Sequence, residues 1–131
     1  MSQCLAYGNS GIGALNCSVS YSLIADNHGK SDEDAVYDST GAQDCSIEGS
    51  IVWGNTKDGE KANWSGEWWP GLYGNFNCSD PLLPGEGNVC ADPMFADSAS
   101  RDYHLRMGSP CINALPGINL YEYEWPWPYD F

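Results

Sequence analysis

The sequence predicts an all-β chain, a short coil of parallel strands that ends in a loop-rich, aromatic C-terminal cap. Three observations predict it. Residues 13–27 (GALNCSVSYSLIADN) and 41–55 (GAQDCSIEGSIVWGN) align at an offset of 28 residues. Residues 4–9 overlie residues 22–27 at an offset of 18, as a third, partial copy. Each copy carries two short apolar or alternating runs and closes on a Gly-Asn or Asp-Asn turn signal, which is strand punctuation and too short for helices.

Each copy is one unit that cannot bury its own apolar face, so it must stack on the next. Equivalent residues then lie about 4.8 Å apart. Cys17 falls over Cys45, Leu23 over Ile51 and Asn27 over Asn55. Cys17, Val19, Leu23, Cys45, Ile47 and Ile51 are expected to point inward in columns. The difference between the two offsets places residues 30–40 in a loop between copies.

The chain has 131 residues, room for one domain or for the C-terminal fragment of one. It divides into repeated turns (1–55), an aromatic loop (56–74) and irregular final turns with a cap (75–131). The first copy is cut at its N-terminal side, so residue 1 is expected to be a boundary inside a longer coil. No signal peptide is expected, because Met1 is followed at once by polar residues. Five Lys and Arg stand against eighteen Asp and Glu, a formal charge of −13. That balance argues against nucleic acid, which needs clustered basic side chains, and against an anionic membrane surface. No apolar run is long enough to span a bilayer. Calcium, cationic partners and neutral sugars remain compatible.

Six cysteines are spread at positions 4, 17, 45, 78, 90 and 111. None has zinc-knuckle or CxxC spacing, which argues against a metal site. Cys17 and Cys45 read as stacked buried thiols. A disulfide between them is within reach if the protein is exported.

The loop after the first copy carries Asp32, Glu33, Asp34 and Asp38. Asp32, Asp34 and Asp38 are weak candidate Ca²⁺ ligands, because Ca²⁺ wants six to eight oxygens and the EF-hand order is missing. A solvated acidic loop is the simpler reading, and no cofactor is required. His28 reads as a turn residue.

Residues 56–74 (TKDGEKANWSGEWWPGLYG) break any period and crowd Trp64, Trp68, Trp69 and Tyr73 together. Such a loop either folds down as a cap or displays a platform. Flat aromatics stack on sugar faces, and Asn63, Ser65 and Glu67 supply polar partners between them. Asn63, Trp64, Glu67, Trp68, Trp69 and Tyr73 are therefore the candidate glycan site. The rival reading buries the tryptophans against the end of the coil with Trp125 and Trp127.

A second echo follows. Gly74-Asn75-Phe76-Asn77-Cys78-Ser79-Asp80-Pro81 resembles Gly87-Asn88-Val89-Cys90-Ala91-Asp92-Pro93 with one residue deleted. The Pro fixes φ and holds the preceding Asp extended, so the apolar pair after it can tuck inward. Asp80, Asp92 and Asp97 either cap backbone amides or bind an ion, and capping is the commoner use. Residues 103–107 alternate, which predicts one strand, and Cys111 and Ile112 re-enter the core.

The run NVCADPMFADSASRDYHLRMGSPCINA (residues 88–114) resembles the closing segment of bacterial right-handed parallel β-helix proteins of the pectate-lyase-like superfamily. Their pattern is Asn-Ile-x-x-Asp-Pro-Leu-Phe, Asp-Tyr-His-Leu, then Gly-Ser-Pro-x-Ile-Asp-Ala-Gly. CSIEGSIVWGNT (residues 45–56) resembles one of their turns, and Tyr121-Glu122-Tyr123 their ending. Asn113, Leu115 and the tail EWPWPYDF depart from the pattern. The resemblance implies a short right-handed parallel β-helix, export or surface attachment, and frequent action on polysaccharides. Fold alone does not decide chemistry. Lyases of the family need a calcium-binding carboxylate cluster and a basic residue. Here Arg101 and Arg106 lie in the structural block, and Lys30, Lys57 and Lys61 in loops. Hydrolases need paired carboxylates. Asp26 faces Gly54 and Glu48 faces Ser20, and Asp38 and Asp44 add no acidic ladder. Thr40 and Thr56 are too few for an ice-binding face.

The expected function is thus a non-catalytic, surface-associated, carbohydrate-binding module. The alternatives are the C-terminal part of a polysaccharide lyase or glycoside hydrolase, and a structural assembly module. The open edge of residues 4–9 or the aromatic tail predicts a homo-oligomer.

Overall fold

The structure is a computed structural model, and it describes residues 3–31, 41–65, 74–112 and 114. It is strand-rich. The partial copy supplies β1 (Leu5–Tyr7). The first full copy supplies β2 (Ala14–Leu15), β3 (Ser18–Ser20), β4 (Leu23–Ala25) and β5 (His28–Gly29). The second supplies β6 (Ala42–Gln43), β7 (Ser46–Glu48), β8 (Ile51–Trp53) and β9 (Thr56–Lys57). Then come β10 (Glu60–Lys61), β11 (Trp64–Ser65), β12 (Cys78–Ser79), β13 (Phe95–Asp97) and β14 (Asp102–Leu105). One 3-10 turn, Ser98–Ser100, is the helical element among the described residues.

Copy pairs with copy, strand by strand, in the expected register. Leu23 is opposite Ile51, Val19 opposite Ile47 and His28 opposite Thr56, all in parallel strands. Leu5 is opposite Leu23, as the shorter offset predicts. The result is a four-stranded parallel sheet, β1-β4-β8-β12, with parallel sheets β2-β6-β11 and β3-β7 beside it. β5 and β9 form a further parallel pair, with β10 antiparallel to β9. β13 and β14 form an antiparallel hairpin.

Single left-handed residues make the corners. Asn16 and Asp44 (φ 49° and 52°), Tyr21 and Gly49 (49° and 58°), and Asp26 and Gly54 (50° and 71°) occupy equivalent places. Asn, Asp and Gly tolerate this region best. The Asp-Asn and Gly-Asn signals now have a mechanism, since the left-handed residue turns the chain and aims the following Asn inward. Asn27 donates its backbone N–H and its side-chain amide to Asn55 Oδ1, at 3.0 and 2.8 Å. Asn9 donates to Asn27 Oδ1 in the same way. A second ladder runs through the Ser22 N–H to Ser50 Oγ (3.1 Å), the Ser50 N–H to Asn77 Oδ1 (2.9 Å) and the Asn77 N–H to Asn88 Oδ1 (2.7 Å). Phe76 and Gly87, both at positive φ, precede those last two asparagines. A buried amide without partners would cost several kcal/mol, and among the described residues no buried side-chain polar atom lacks one.

Two apolar clusters result, which corrects the expected columns. Val19, Ile47 and Cys45 join Ala14, Ile24, Val52 and Leu83 in an inner cluster, with Cys17 packed against it. Leu23 and Ile51 do stack and are buried. They face the other way, however, into an outer cluster with Ala25, Cys78, Tyr103 and Cys111. Successive residues of a strand point to opposite faces. Ile24 and Val52 therefore take the inner places, and the hairpin β13–β14 covers Leu23 and Ile51. Of the apolar pairs after Pro81 and Pro93, one member tucks in. Leu83 is buried while Leu82 is exposed, and Met94 is exposed while Phe95 packs on the outer cluster.

Candidate functional site

The candidate glycan loop is rooted on strands rather than on an aperiodic loop. After β9 the chain reverses at Asp58 and Gly59, both with positive φ (52° and 81°). That is the Asp-Gly signature of a two-residue hairpin turn. It creates β10, and Lys61 there forms an ion pair with Asp80. The chain then enters β11, which pairs in parallel with β6, Trp64 opposite Ala42. So the first part of the segment expected as a loop, residues 56–65, holds three strands.

Asn63 is corrected by this geometry. It is buried, and its Oδ1 accepts from the Asn55 backbone N–H (2.9 Å) and from the Asn55 side chain (3.0 Å). Its own amide donates to the Asp80 carbonyl at 2.6 Å. It is the end of the asparagine ladder and has no face to offer a sugar. Ladder partners are 28 residues apart between Asn27 and Asn55 but only 8 apart between Asn55 and Asn63. That change hides Asn63 from any search at a fixed period.

Trp64 is half-buried. Its ring packs against the inner cluster, and its indole N–H donates to the Pro81 carbonyl at 2.8 Å. The far end of the loop is fixed at Gly74, where an added Cβ would meet the Ile47 carbonyl oxygen at 1.6 Å. Glu67, Trp68, Trp69 and Tyr73 lie outside the described residues, as do Trp125 and Trp127.

The weak calcium candidates Asp32, Asp34 and Asp38 also lie outside the described residues. The described neighbour of that loop is Ser31, whose N–H donates to Asp58 Oδ1 at 2.8 Å and whose hydroxyl donates to Oδ2. These bonds hold the Asp58 carboxyl below its ordinary range. Among the described residues no group of three or more His, Cys, Asp or Glu comes together as a metal site.

Several of the residues weighed for catalysis are engaged in contacts within the chain. Asp26 lies over Gly54, where a Cβ would approach its Oδ1 to 2.3 Å, and it accepts a hydrogen bond from the Tyr103 hydroxyl at 2.9 Å. Burial and then that carboxylate push the Tyr103 phenol upward. The Arg101 guanidinium stands 5.5 Å from the centre of the Tyr7 ring, and Tyr7 meets Tyr103 edge-on. Arg106 donates to the Ala96 carbonyl. His104 pairs with Asp102, which lowers that carboxyl. His28 shares a 2.8 Å hydrogen bond with Thr56. Asp92 and Asp97 accept from the N–H groups of Met94 and Ser100, as expected of caps. Comparison of the chain with protein-family models, with curated proteins and with solved structures returns no match.

The contacts of Tyr103 were not foreseen. The one available signal was that Asp26 falls opposite a glycine, which leaves space above the sheet for a side chain from elsewhere in the chain.

Proposed function

We propose that the chain is a short right-handed parallel β-helix of the pectate-lyase-like kind, acting as a non-catalytic, surface-associated module that binds a neutral or calcium-bridged glycan. The coil is supported by the parallel pairing of every strand of one repeat copy with its counterpart in the next. The observation that carries the ligand reading is Trp64. It sits at the root of a loop that holds two more tryptophans within five residues. It is only half-buried, and its N–H bond to Pro81 fixes the ring plane. Pre-fixed indoles stack on the C–H face of a pyranose without further ordering cost. A non-catalytic role is supported by the contacts of Arg101, Arg106 and Lys61, each engaged within the chain. The alternative, the C-terminal part of a polysaccharide lyase or hydrolase, would need its chemistry supplied by other residues.

A glycan array run with and without calcium tests the proposal, with W64A, W68A and W69A as controls. Binding that falls at least tenfold in W68A and W69A supports it. Iodide quenching gives the opposing outcome. If all six tryptophans are shielded in the free protein, the platform does not exist.

A second reading has its own observation. Among the described residues β1 is the edge of the four-stranded sheet, and Leu5 on it is exposed. An open, apolar edge recruits another strand, so we propose self-association through β1. Sedimentation should show a dimer or larger species, and a monomer at every concentration would rule it out.

A further inference from the structure

Cys17 and Cys45 stand at equivalent points of the two repeat copies, each directly before a strand of the β3–β7 pair. Both follow a left-handed corner, at Asn16 and at Asp44. The backbone around them is fixed on both sides. The Asn16 N–H donates to the Gln43 carbonyl and the Ser46 N–H to the Cys17 carbonyl, each at 3.0 Å. Neighbouring parallel strands hold paired Cα atoms about 4.8 Å apart, inside the roughly 4.4–6.8 Å that a disulfide spans. The side chains converge as well, since the two sulfurs lie 3.6 Å apart. Turning that contact into a bond takes about 1.5 Å of sulfur movement. The surroundings of the two thiols differ. Cys45 is buried in the inner cluster, and its thiol donates to the Gln43 carbonyl at 3.2 Å. Cys17 is half-buried, with exposed Asn16 and Ser18 on either side of it in the chain. A reagent in solution therefore meets Cys17 before Cys45.

We propose that Cys17 and Cys45 form a thiol-modification site, where a small disulfide of the oxidised-glutathione class enters on Cys17 and Cys45 displaces it, leaving a disulfide that staples the two repeat copies together. The Cys17 thiol gives its proton to water, and its sulfur attacks one sulfur of glutathione disulfide. That S–S bond breaks, and one glutathione thiolate leaves and takes up a proton. Cys45 then gives up its proton, attacks the Cys17 sulfur from contact distance and expels the second glutathione, which takes up a proton in turn. Two protein thiols are oxidised to one disulfide, and one small disulfide is reduced to two thiols. Exposure sets this order, and burial reinforces it by raising the Cys45 thiol to about 12. The other cysteines are placed for different outcomes. Cys78 and Cys111 are buried, whereas Cys4 and Cys90 are exposed and report that the reagent is active. The staple closes the chain from Cys17 to Cys45 and lies beside Val19 and Ile47 in the inner cluster.

The experiment uses the wild-type chain in buffers of graded oxidised-to-reduced glutathione ratio. Samples are quenched with N-ethylmaleimide in denaturant and mapped by mass spectrometry. Trypsin cuts at Lys30 and so separates the two cysteines, and fragmentation distinguishes Cys17 from Cys4 on the same peptide. The expected result is a cross-link joining Cys17 to Cys45, with Cys78 and Cys111 still alkylated. The oxidised form should melt on the order of 10 °C higher than the reduced form, because the bond closes a long loop. In C45S the reaction should stop with one glutathione on Cys17, and in C17S Cys45 should capture none. The proposal is overturned if Cys17 and Cys45 stay alkylated while Cys4 and Cys90 carry glutathione. It is equally overturned if Cys78 and Cys111 link first, if wild-type Cys17 keeps its glutathione without closing, or if the oxidised form melts no higher.

Discussion

Leu23 and Ile24 are neighbours on one strand, both buried, and they serve different cores. Ile24 stacks with Val52 in the inner cluster, while Leu23 stacks with Ile51 under the hairpin. The inner face is built by repetition, since each side chain meets its own counterpart from the next copy. The outer face is built once, from residues 77 positions apart in the case of Tyr103 and Asp26. A repeat thus specifies its inner core locally and leaves the outer face to whatever segment covers it. We expect that the covering segment can be weakened without dismantling the repeat, and that the reverse does not hold.

The largest effect should come from placing a charge on either face. Val52→Asp and Ile51→Asp each bury an unpaired carboxylate, at a cost of several kcal/mol. We expect Val52→Asp to prevent folding and Ile51→Asp to leave a chain with a loosened hairpin. Thermal melting measures both, and an unchanged melting temperature in either variant would remove that residue from its core. Asn55→Ala comes next. It strips the acceptor from two donors of Asn27 and removes the side-chain donor to the Ile24 carbonyl, while Asn63 Oδ1 keeps the Asn55 backbone N–H. Each buried group left unpaired costs about 1–3 kcal/mol, so chemical denaturation should show a loss of roughly 3 kcal/mol or more.

Tyr103→Phe is smaller and carries a pH signature. It removes the bond to Asp26, worth about 1–2 kcal/mol. In the folded chain the phenol is raised above its ordinary value of 10.0. A raised folded pKa gives stability that is fully present below the unfolded value and is lost as pH rises through and beyond it. The wild type should therefore lose stability above about pH 10, and Tyr103→Phe should lose less over the same range. Cys45, raised from 9.0 to about 12, adds a loss of the same sign between those values in both proteins. The smallest effect belongs to Met107→Ser. Met107 is 95% exposed, and surface changes of this kind fall within about 0.5 kcal/mol.

The contrast between the faces also explains what could be read from the sequence. The pairing of residues 28 apart, and of residues 4–9 with residues 22–27, was legible because identical turn chemistry recurs at Asp26 and Gly54 and because Asn27 and Asn55 match. The face of Leu23 was not, because Ser22, Leu23, Ile24 and Ala25 are all buried and show no alternation. With no polar residue to mark the outside, period-2 reasoning has nothing to choose with. Asn63 was misread for a related reason. A polar residue beside a tryptophan resembles a sugar ligand, and only the spatial ladder shows its amide in use. The hairpin strand at Tyr103 and Leu105 was legible from alternation, but its docking place is a long-range fact with one faint local sign, the glycine opposite Asp26.

Native-state hydrogen exchange on Ile51→Ala and Val52→Ala tests the division into two faces most directly. Both truncations remove buried methyl groups and cost a few kcal/mol. In Ile51→Ala the Arg106 amide, bonded to the Met94 carbonyl, should exchange faster while the Asn27 and Thr56 amides keep their protection. In Val52→Ala all three should lose protection together. If the two variants give the same pattern, the faces are one cooperative core, and the separation of repeat from cover is wrong.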